Sequence, residues 1–182
     1  MTSKPSRLRL RVLFSFFFRL CRIDFREESG DMQVTLADVT EDNWEEVVGL
    51  KLKKNQRRFV ASNAYSLAES KFNKYCHPRA IYYKNKVVGF IMYESMDEEA
   101  KPYEYFVYRF MVKRKYQGKG IGQQAMMLAI EEIKANENCK TITICYASEN
   151  KRAKKLYRSC GFEEIGLDED GQMIAKIDVI RA

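Results

Sequence analysis

The sequence predicts one α/β (α+β) domain in which helices cover the faces of a mixed β-sheet. Segments with the apolar pattern of a strand outnumber segments with helical spacing by seven to four. The predicted order β-α-α-β-β-β-α-β-α-β-β requires both parallel and antiparallel pairing. The length of 182 residues suits a single domain, and 46% hydrophobic with 31% charged residues is typical of a globular chain with a core.

In the amino-terminal half, side-chain alternation marks the strands and capping residues mark the helices. Thr40 can cap the first helix, and Ser66 with Glu69 has the capping-box spacing that opens the second. Lys84-Asn85-Lys86 separates two apolar runs and predicts a hairpin turn. The elements predicted here are a strand over residues 34–39, helices over 41–53 and 66–75 with an irregular segment over 55–65 between them, and strands over 80–83 and 87–93.

In the carboxyl-terminal half, the hydrophobic period changes from two to about 3.6 after an aromatic-rich strand. Ile121, Ala125 and Leu128 follow helical spacing, and Gly161 ends the last helix. Asp168-Glu169-Asp170-Gly171 predicts the turn of a final hairpin. The elements predicted here are a strand over residues 103–112, a helix over 119–136, a strand over 141–146, a helix over 150–159, and strands over 162–167 and 173–179.

The positive charge is spread along the chain. The net charge is +7, of which residues 1–31, with seven basic and four acidic side chains, contribute +3. A surplus of this size lacks the concentrated stripe typical of nucleic-acid-binding proteins, so no nucleic-acid partner is expected. Residues 1–31 are basic and aromatic, without the long apolar run of a signal peptide or membrane span. We expect them to be an extension upstream of a domain over 32–182, with no stable membrane insertion; a peripheral membrane anchor is the alternative.

The cysteine and histidine content argues against a metal centre. The chain has five cysteines and one histidine, and no pair of cysteines has the spacing of metal ligands. The histidine lies in His77-Pro78, which resembles a turn. We therefore expect no metal and reduced thiols, as in a cytoplasmic protein.

A glycine-rich segment, Gln117-Gly118-Lys119-Gly120-Ile121-Gly122, lies between a predicted strand and helix. Alternate glycines let successive backbone N–H groups point into one concavity, to which the helix N-terminus adds partial positive charge. The segment therefore predicts a phosphate site. A P-loop is excluded because Gly120 follows Lys119, and a dinucleotide fingerprint is excluded because Gln123 occupies its third glycine position.

These residues carry a family resemblance. Arg109-Phe110-Met111-Val112, followed by Gln117-x-x-Gly120-x-Gly122, resembles the acetyl-CoA motif of the GNAT superfamily of N-acetyltransferases. Asn150-x-x-Ala153-x-x-Leu156-Tyr157, followed by Gly161-Phe162, resembles the second motif of that family. The resemblance covers residues 33–180 and implies a GNAT-like mixed, mostly antiparallel sheet of about seven strands flanked by about four helices. Tyr108-Arg109-Phe110-Met111, with Asn55-Gln56 and Ser66-Leu67-Ala68, is similar to bacterial spermine/spermidine acetyltransferases.

The resemblance implies acetyl-CoA as co-substrate and assigns residues to it. Tyr157 would be the general acid that protonates the leaving thiolate. Glu94, near the end of a predicted strand, is our candidate base; Glu104 is second, and with Tyr65 it is a candidate for acceptor binding. The candidate cofactor-binding residues are Met111, Val112, Gln117, Gly118, Lys119, Gly120, Ile121, Gly122, Gln123, Asn150 and Lys154.

The function expected from these residues is acetyl transfer from acetyl-CoA to a primary amine, with spermidine or spermine as the first candidates. The alternatives are a peptide, amino acid or aminoglycoside acceptor, or a non-catalytic sensor that binds acyl-CoA. The resemblance also implies a homodimer. A polycationic acceptor requires that the basic side chains noted in the segment of residues 50–75 face away from it; these are Lys51, Lys53, Lys54, Arg57 and Arg58.

Overall fold

Seven strands form one sheet in the order β1-β2-β3-β4-β5-β7-β6 in the computed structural model. The structure describes residues 33–180, so the predicted extension over 1–31 lies outside the described residues. β4 and β5 are parallel, and every other neighbouring pair is antiparallel. The strands are β1 (Val34–Asp38), β2 (Cys76–Tyr83), β3 (Lys86–Met96), β4 (Lys101–Val112), β5 (Thr141–Ala147), β6 (Glu163–Leu167) and β7 (Gln172–Asp178).

Four α-helices pack on the two faces of this sheet: α1 (Trp44–Val48), α2 (Asn63–Glu69), α3 (Ile121–Lys134) and α4 (Lys151–Ser159). One core cluster joins α3 and α4 to residues of the sheet such as Val107 and Ile144. A second cluster, around Phe90, joins α1 and α2 to the opposite face. The predicted fold class is therefore confirmed, and the sheet separates two helical layers.

The two amino-terminal helices differ from the sequence prediction. α1 has only five residues. It begins later than predicted because the Asn43 side chain is held at the preceding turn, where Nδ2 donates to Asp38 O (2.9 Å) and to Tyr82 OH (3.1 Å), and it ends before Gly49. The predicted helix over 66–75 is also wrong. Ser62, not Ser66, caps α2, and its Oγ accepts from Tyr65 N–H (3.2 Å).

Between these helices, the predicted irregular segment contains a 3₁₀ turn over Lys54–Phe59. The remaining helices agree with the prediction to within two residues at each end. This agreement reflects the strong apolar period of α3 and the Asn150 cap of α4.

His77-Pro78 is part of β2 rather than a turn. Pro78 has no N–H to donate, and this is tolerated because β1 pairs only with residues 79–83 of β2. At Pro78, β2 therefore has a neighbouring strand only on its β3 side. The hairpin turn was predicted correctly: Lys84 and Asn85 both have positive φ (49° and 60°), as in a two-residue type I′ turn.

Candidate active site

The site lies where β4 and β5 separate. Their parallel pairing covers Glu104–Val107 and Thr141–Ile144, although β4 continues to Val112 and β5 to Ala147. Against β3, Val107 pairs with Tyr93 and Arg109 with Met92, which leaves Tyr108 as an extra, bulged residue. A bulge bends its strand and increases the twist. The bend explains why pairing stops at Val107, and it opens a wedge between the carboxyl ends of β4 and β5.

One wall of this wedge is the free edge of β4. Lys113 N–H donates to Val88 O (2.7 Å) on the β3 side. Because backbone groups alternate in direction along an extended strand, the N–H and C=O of Val112 point towards the wedge, whereas those of Met111 point towards β3. The Val112 N–H is therefore a backbone donor for an extended ligand, whereas its C=O already accepts from the Gln117 side chain. The Met111 side chain is buried in the second core cluster.

The glycine-rich loop closes the carboxyl end of the wedge. Gly118 and Gly120 have φ of 76° and 77°, a region that favours glycine, and Gly120 is the N-cap of α3. No described group accepts a hydrogen bond from the N–H groups of residues 118–122. Lys119 extends towards the Tyr116 ring, with Nζ 5.9 Å from its centroid. The loop and the start of α3, up to Ile121 and Gly122, thus present a row of unsatisfied donors to an anion. The next N–H, of Gln123, already donates to Gly120 O (3.0 Å).

Gln117 anchors this loop. Its Nε2 donates to Val112 O (2.8 Å) and to Gln56 Oε1 (2.9 Å) of the 3₁₀ turn. Its Oε1 is buried. Among the described side chains of residues 33–180, it is the one buried nitrogen or oxygen atom without a hydrogen-bond partner. An orphaned acceptor of this kind costs about 1–3 kcal/mol, which a ligand donor would recover.

Asn150 lies on the other wall, at the N-terminus of α4. Its Oδ1 accepts from Ala153 N–H (3.2 Å) as a helix cap, which leaves Nδ2 available as a donor. Lys154 is one turn further along and forms a 2.7 Å ion pair with Glu164 Oε2. Lys154, a candidate cofactor-binding residue, is therefore paired with a carboxylate of β6 in the described chain.

Tyr157 lies one turn beyond Lys154, buried among aromatic rings. Its ring centroid is 5.2 Å from that of Tyr146 and 5.9 Å from that of Phe162. The hydroxyl has no hydrogen-bond partner within residues 33–180, and burial raises the pKa of this phenol. Tyr157 also lines a cavity of about 500 Å³ between α4, β6 and β7. The phenol is consequently a protonated donor that lacks an acceptor.

Glu94 lies on the opposite face of the sheet, at the centre of a hydrogen-bonded cluster. Its Oε2 accepts from Asn73 Nδ2 (2.7 Å) and lies 3.5 Å from Cys76 Sγ. Cys76 Sγ is in turn 2.7 Å from the hydroxyl of Tyr108, the bulge residue. Burial raises the pKa of the Glu94 carboxyl, and the two hydrogen bonds oppose it in part. The pKa of the Cys76 thiol is raised to about 11, chiefly by burial, so the thiol is neutral near pH 7.

Sequence reasoning missed the partners of Glu94. Asn73 lies just before β2, and Cys76 is the first residue of that strand. Both contact Glu94 only because Cys76 pairs with Glu94 across β2 and β3. Beside them, Arg109 Nη2 forms an ion pair with Glu69 (3.3 Å), and the guanidinium stacks over Tyr108, 4.7 Å from its ring centroid. Register decides these contacts, and no local pattern reveals them.

The two candidate acceptor-binding residues lie apart from this cluster. Glu104 Oε1 accepts from Thr143 Oγ1 (2.9 Å) in the paired segment of β4 and β5. Tyr65 is 60% exposed on α2. Residues 33–180 contain no group of three or more side chains arranged to hold a metal, and none of their helices is long and apolar enough to cross a bilayer.

A wedge between parallel strands that ends at a phosphate-type helix N-terminus defines a protein that binds an extended, phosphate-bearing ligand. Residues 36–162 match the model of the Acetyltransferase (GNAT) family. The chain belongs to this family, and it is an acetyl-CoA-dependent N-acetyltransferase with acetyl-CoA as co-substrate.

The relatives agree in fold and in the class of reaction. The chain is 31% identical over 147 residues to the spermine/spermidine N(1)-acetyltransferase of Bacillus subtilis (strain 168), covering 79% of this chain and 97% of the relative. An aminoglycoside acetyltransferase in complex with coenzyme A has a similar structure (TM-score 0.69, 16% identity, 80% and 95% coverage). The spermidine N-acetyltransferase from Vibrio cholerae in complex with CoA and spermine also has this fold (TM-score 0.63, 19% identity, 79% and 93% coverage).

Proposed function

We propose that this chain acetylates a primary amine of spermidine or spermine. The observation that carries the proposal is the 31% identity to a spermine/spermidine acetyltransferase along nearly the whole length of that relative. The half-buried carboxylate of Glu94, beside the bulge of β4, supplies the negative charge that a cationic amine requires.

The residues of the wedge suit acetyl-CoA, which supplies the acetyl group as a thioester. The free N–H groups of residues 118–122 would hold its pyrophosphate. The backbone of Val112 and the Nδ2 of Asn150 would hold its pantetheine arm from the two walls. The orphaned Gln117 Oε1 is an acceptor for one further donor. Of the Val112 backbone groups, the N–H is the one left for the arm, because the C=O accepts from Gln117 Nε2 (2.8 Å).

Glu94 is proposed to take a proton from the acceptor amine. An alkylammonium group with a pKa near 10.4 needs about 4.6 kcal/mol to become neutral at pH 7. A carboxylate with a raised pKa is a stronger base than an exposed one, and the partly desolvated surroundings also favour the neutral amine. Asn73 and Cys76 donate to the same oxygen and therefore fix the carboxylate in place.

Tyr157 is proposed to hold the proton that the leaving sulfur needs. Because burial raises its pKa, the phenol stays protonated throughout the working pH range. A free thiol has a pKa near 8.5, so full transfer from the phenol to a free thiolate would be uphill. The hydroxyl therefore acts by donating to sulfur while the charge develops, and not after the thiolate has left.

A thiol-release assay tests the acceptor. The purified chain is given acetyl-CoA with spermidine, spermine, a lysine peptide or an aminoglycoside, and free thiol is measured. We expect turnover with spermidine or spermine at sub-millimolar concentration. Turnover with the peptide or aminoglycoside alone would overturn the polyamine proposal and leave the acetyltransferase class intact. The proposed enzyme is also a cytoplasmic homodimer, and light scattering of the purified chain tests the dimer.

A further inference from the structure

A basic pocket lies beside the glycine-rich loop. Five cationic residues, Lys51, Lys53, Lys113, Arg114 and Lys115, line one open cavity of about 390 Å³. The N–H of Arg114 donates to Lys51 O (3.0 Å) and joins the segment after α1 to the segment after β4. The pocket is therefore built by two separate parts of the chain that the backbone holds together.

The charges of the basic pocket are not neutralised. None of the five side chains forms an ion pair with another residue of the described chain. By contrast, Arg58 of the 3₁₀ turn forms an ion pair, with its Nη2 3.7 Å from Glu149 Oε1. Five like charges around one cavity repel each other and produce a strong positive potential. Such a pocket repels an amine and attracts an anion of several charges.

The position of the basic pocket separates it from the amine site. Glu94 pairs with Phe106, and Lys113 follows seven residues later along nearly the same strand. At about 3.3 Å per residue this is roughly 20 Å. By contrast, Lys115 is only two residues before Gln117, which anchors the glycine-rich loop. The pocket therefore adjoins the phosphate end of the wedge.

We propose that the basic pocket binds a multiply charged phosphate group. Lysine and arginine side chains donate charge-assisted hydrogen bonds to phosphate oxygens, and a phosphate group carries more charge than a single carboxylate. Two sources share this chemistry: the 3′-phosphate of the coenzyme, or a separate polyphosphate-bearing molecule. The site is independent of the proposed acceptor, because its ligand is recognised by charge opposite to that of a polyamine.

Calorimetric binding to the full chain tests the proposal with three probes: coenzyme A, 3′-dephospho-coenzyme A and inorganic tripolyphosphate. The pocket variant is Lys51→Gln with Lys115→Gln. The matched control is Lys71→Gln with Lys86→Gln, which removes the same charge at exposed positions outside the pocket. Thermal unfolding of both variants confirms that they are folded.

If the 3′-phosphate is the ligand, the original chain prefers coenzyme A over the dephospho form, and the pocket variant loses this preference by about tenfold. If the ligand is a separate molecule, the preference stays and tripolyphosphate binding falls by about tenfold instead. Either effect should weaken with added salt. Equal affinities of the pocket and control variants for all three probes would overturn the proposal. A further variant, Gly118→Ala, changes the glycine-rich loop instead of the pocket. If tripolyphosphate binding were lost only in that variant, the proposal would also be overturned. Neither outcome depends on which amine is acetylated.

Discussion

The Tyr157 hydroxyl has no hydrogen-bond partner in the described chain, which distinguishes it from Tyr146 and Tyr93, whose hydroxyls donate to Glu164 and Glu132. Tyr157 lines the cavity between α4, β6 and β7, and its hydroxyl is not among the fully buried side-chain atoms that lack a partner. The hydroxyl can therefore donate to a group that enters the site, which in the proposed mechanism is the leaving sulfur.

Tyr157→Phe should lower kcat about a hundredfold or more, because general acid catalysis contributes that much. Coenzyme A affinity and the free energy of unfolding should change little, since the hydroxyl makes no contact that the ring does not retain. Thiol release gives kcat, and calorimetry gives the affinity. A parallel loss of affinity and kcat would show that Tyr157 acts through packing.

Glu94 has a raised pKa in the folded protein. As the pH rises through this pKa, the activity should increase and the stability should decrease. As a base it must be ionised, so kcat/KM should fall as the pH falls through this raised pKa. Glu94→Gln should lower kcat at least about tenfold and remove that limb of the profile. Exposed Glu137→Gln is the control and should keep both.

The stability effect of Glu94 runs the other way. A pKa raised by folding means that the stabilising contribution is complete below the unfolded value and is lost as the pH rises through the folded value. At pH 7 the charged, half-buried carboxylate therefore disfavours folding, and Glu94→Gln should keep or raise Tm there. The two proteins should become equal in acid, where both side chains are neutral. A lower Tm for Glu94→Gln at pH 7 would show that its hydrogen bonds outweigh burial.

At the scale of elements, the strand–loop–helix unit of β4 and α3 carries the proposed cofactor site. Two of its glycines, Gly118 and Gly122, can be compared directly. Gly118 has φ of 76° with nothing within 4 Å of an added Cβ, so only its backbone conformation requires glycine. At Gly122, inside the first turn of α3, an added Cβ would meet Phe110 and Val112 at 3.6 Å, an ordinary contact.

Gly118→Ala should therefore destabilise the fold by about 1–2 kcal/mol and weaken coenzyme A binding, because alanine resists the left-handed region. Gly122→Ala should leave stability unchanged or raise it by up to about 1 kcal/mol, since alanine is the better helix former. Urea unfolding measures both. An unchanged free energy of unfolding for Gly118→Ala would contradict the requirement for glycine at this φ.

Local patterns predicted the elements that stabilise themselves and failed where tertiary contacts decide. The apolar period of α3 and the Asn150 cap of α4 are visible in the sequence and gave both helices to within two residues. The predicted start of α1 was too early because Asn43 donates hydrogen bonds to β1 and to Tyr82 of β2, contacts that only the folded sheet provides.

The site was predictable in the same measure. The glycine-rich loop combines a requirement for positive φ with the start of a helix, so its residues can be predicted from the sequence. The positions of Cys76 and Tyr108 near Glu94 cannot be predicted in this way, because they depend on the register of three strands and on a bulge. A bulge shifts every later side chain, and nothing in Val107-Tyr108-Arg109 marks its place.

At the scale of the whole molecule, opposite charges lie beside the middle of β4 and beyond its carboxyl end. The half-buried carboxylate of Glu94 lies beside its middle, and the basic pocket lies beyond its carboxyl end. This arrangement places the cations of residues 51–53 away from a polycationic acceptor, as such an acceptor requires. An anionic carrier and a cationic acceptor can then approach the wedge from different sides.

Residues 33–180 contain both core clusters and every residue of the candidate site, so we propose that residues 32–182 form the catalytic domain and that residues 1–31 are an extension. Deletion of 1–31 removes +3 of the +7 net charge but no residue of either cluster. The shortened chain should therefore unfold cooperatively at a similar Tm and retain kcat and the KM for acetyl-CoA within about twofold. Sedimentation with anionic vesicles, measured for both lengths, separates a membrane role from catalysis. Vesicle binding that is lost while turnover stays would assign a targeting role to 1–31, whereas loss of turnover would contradict the proposed division and place part of the catalytic unit in those residues.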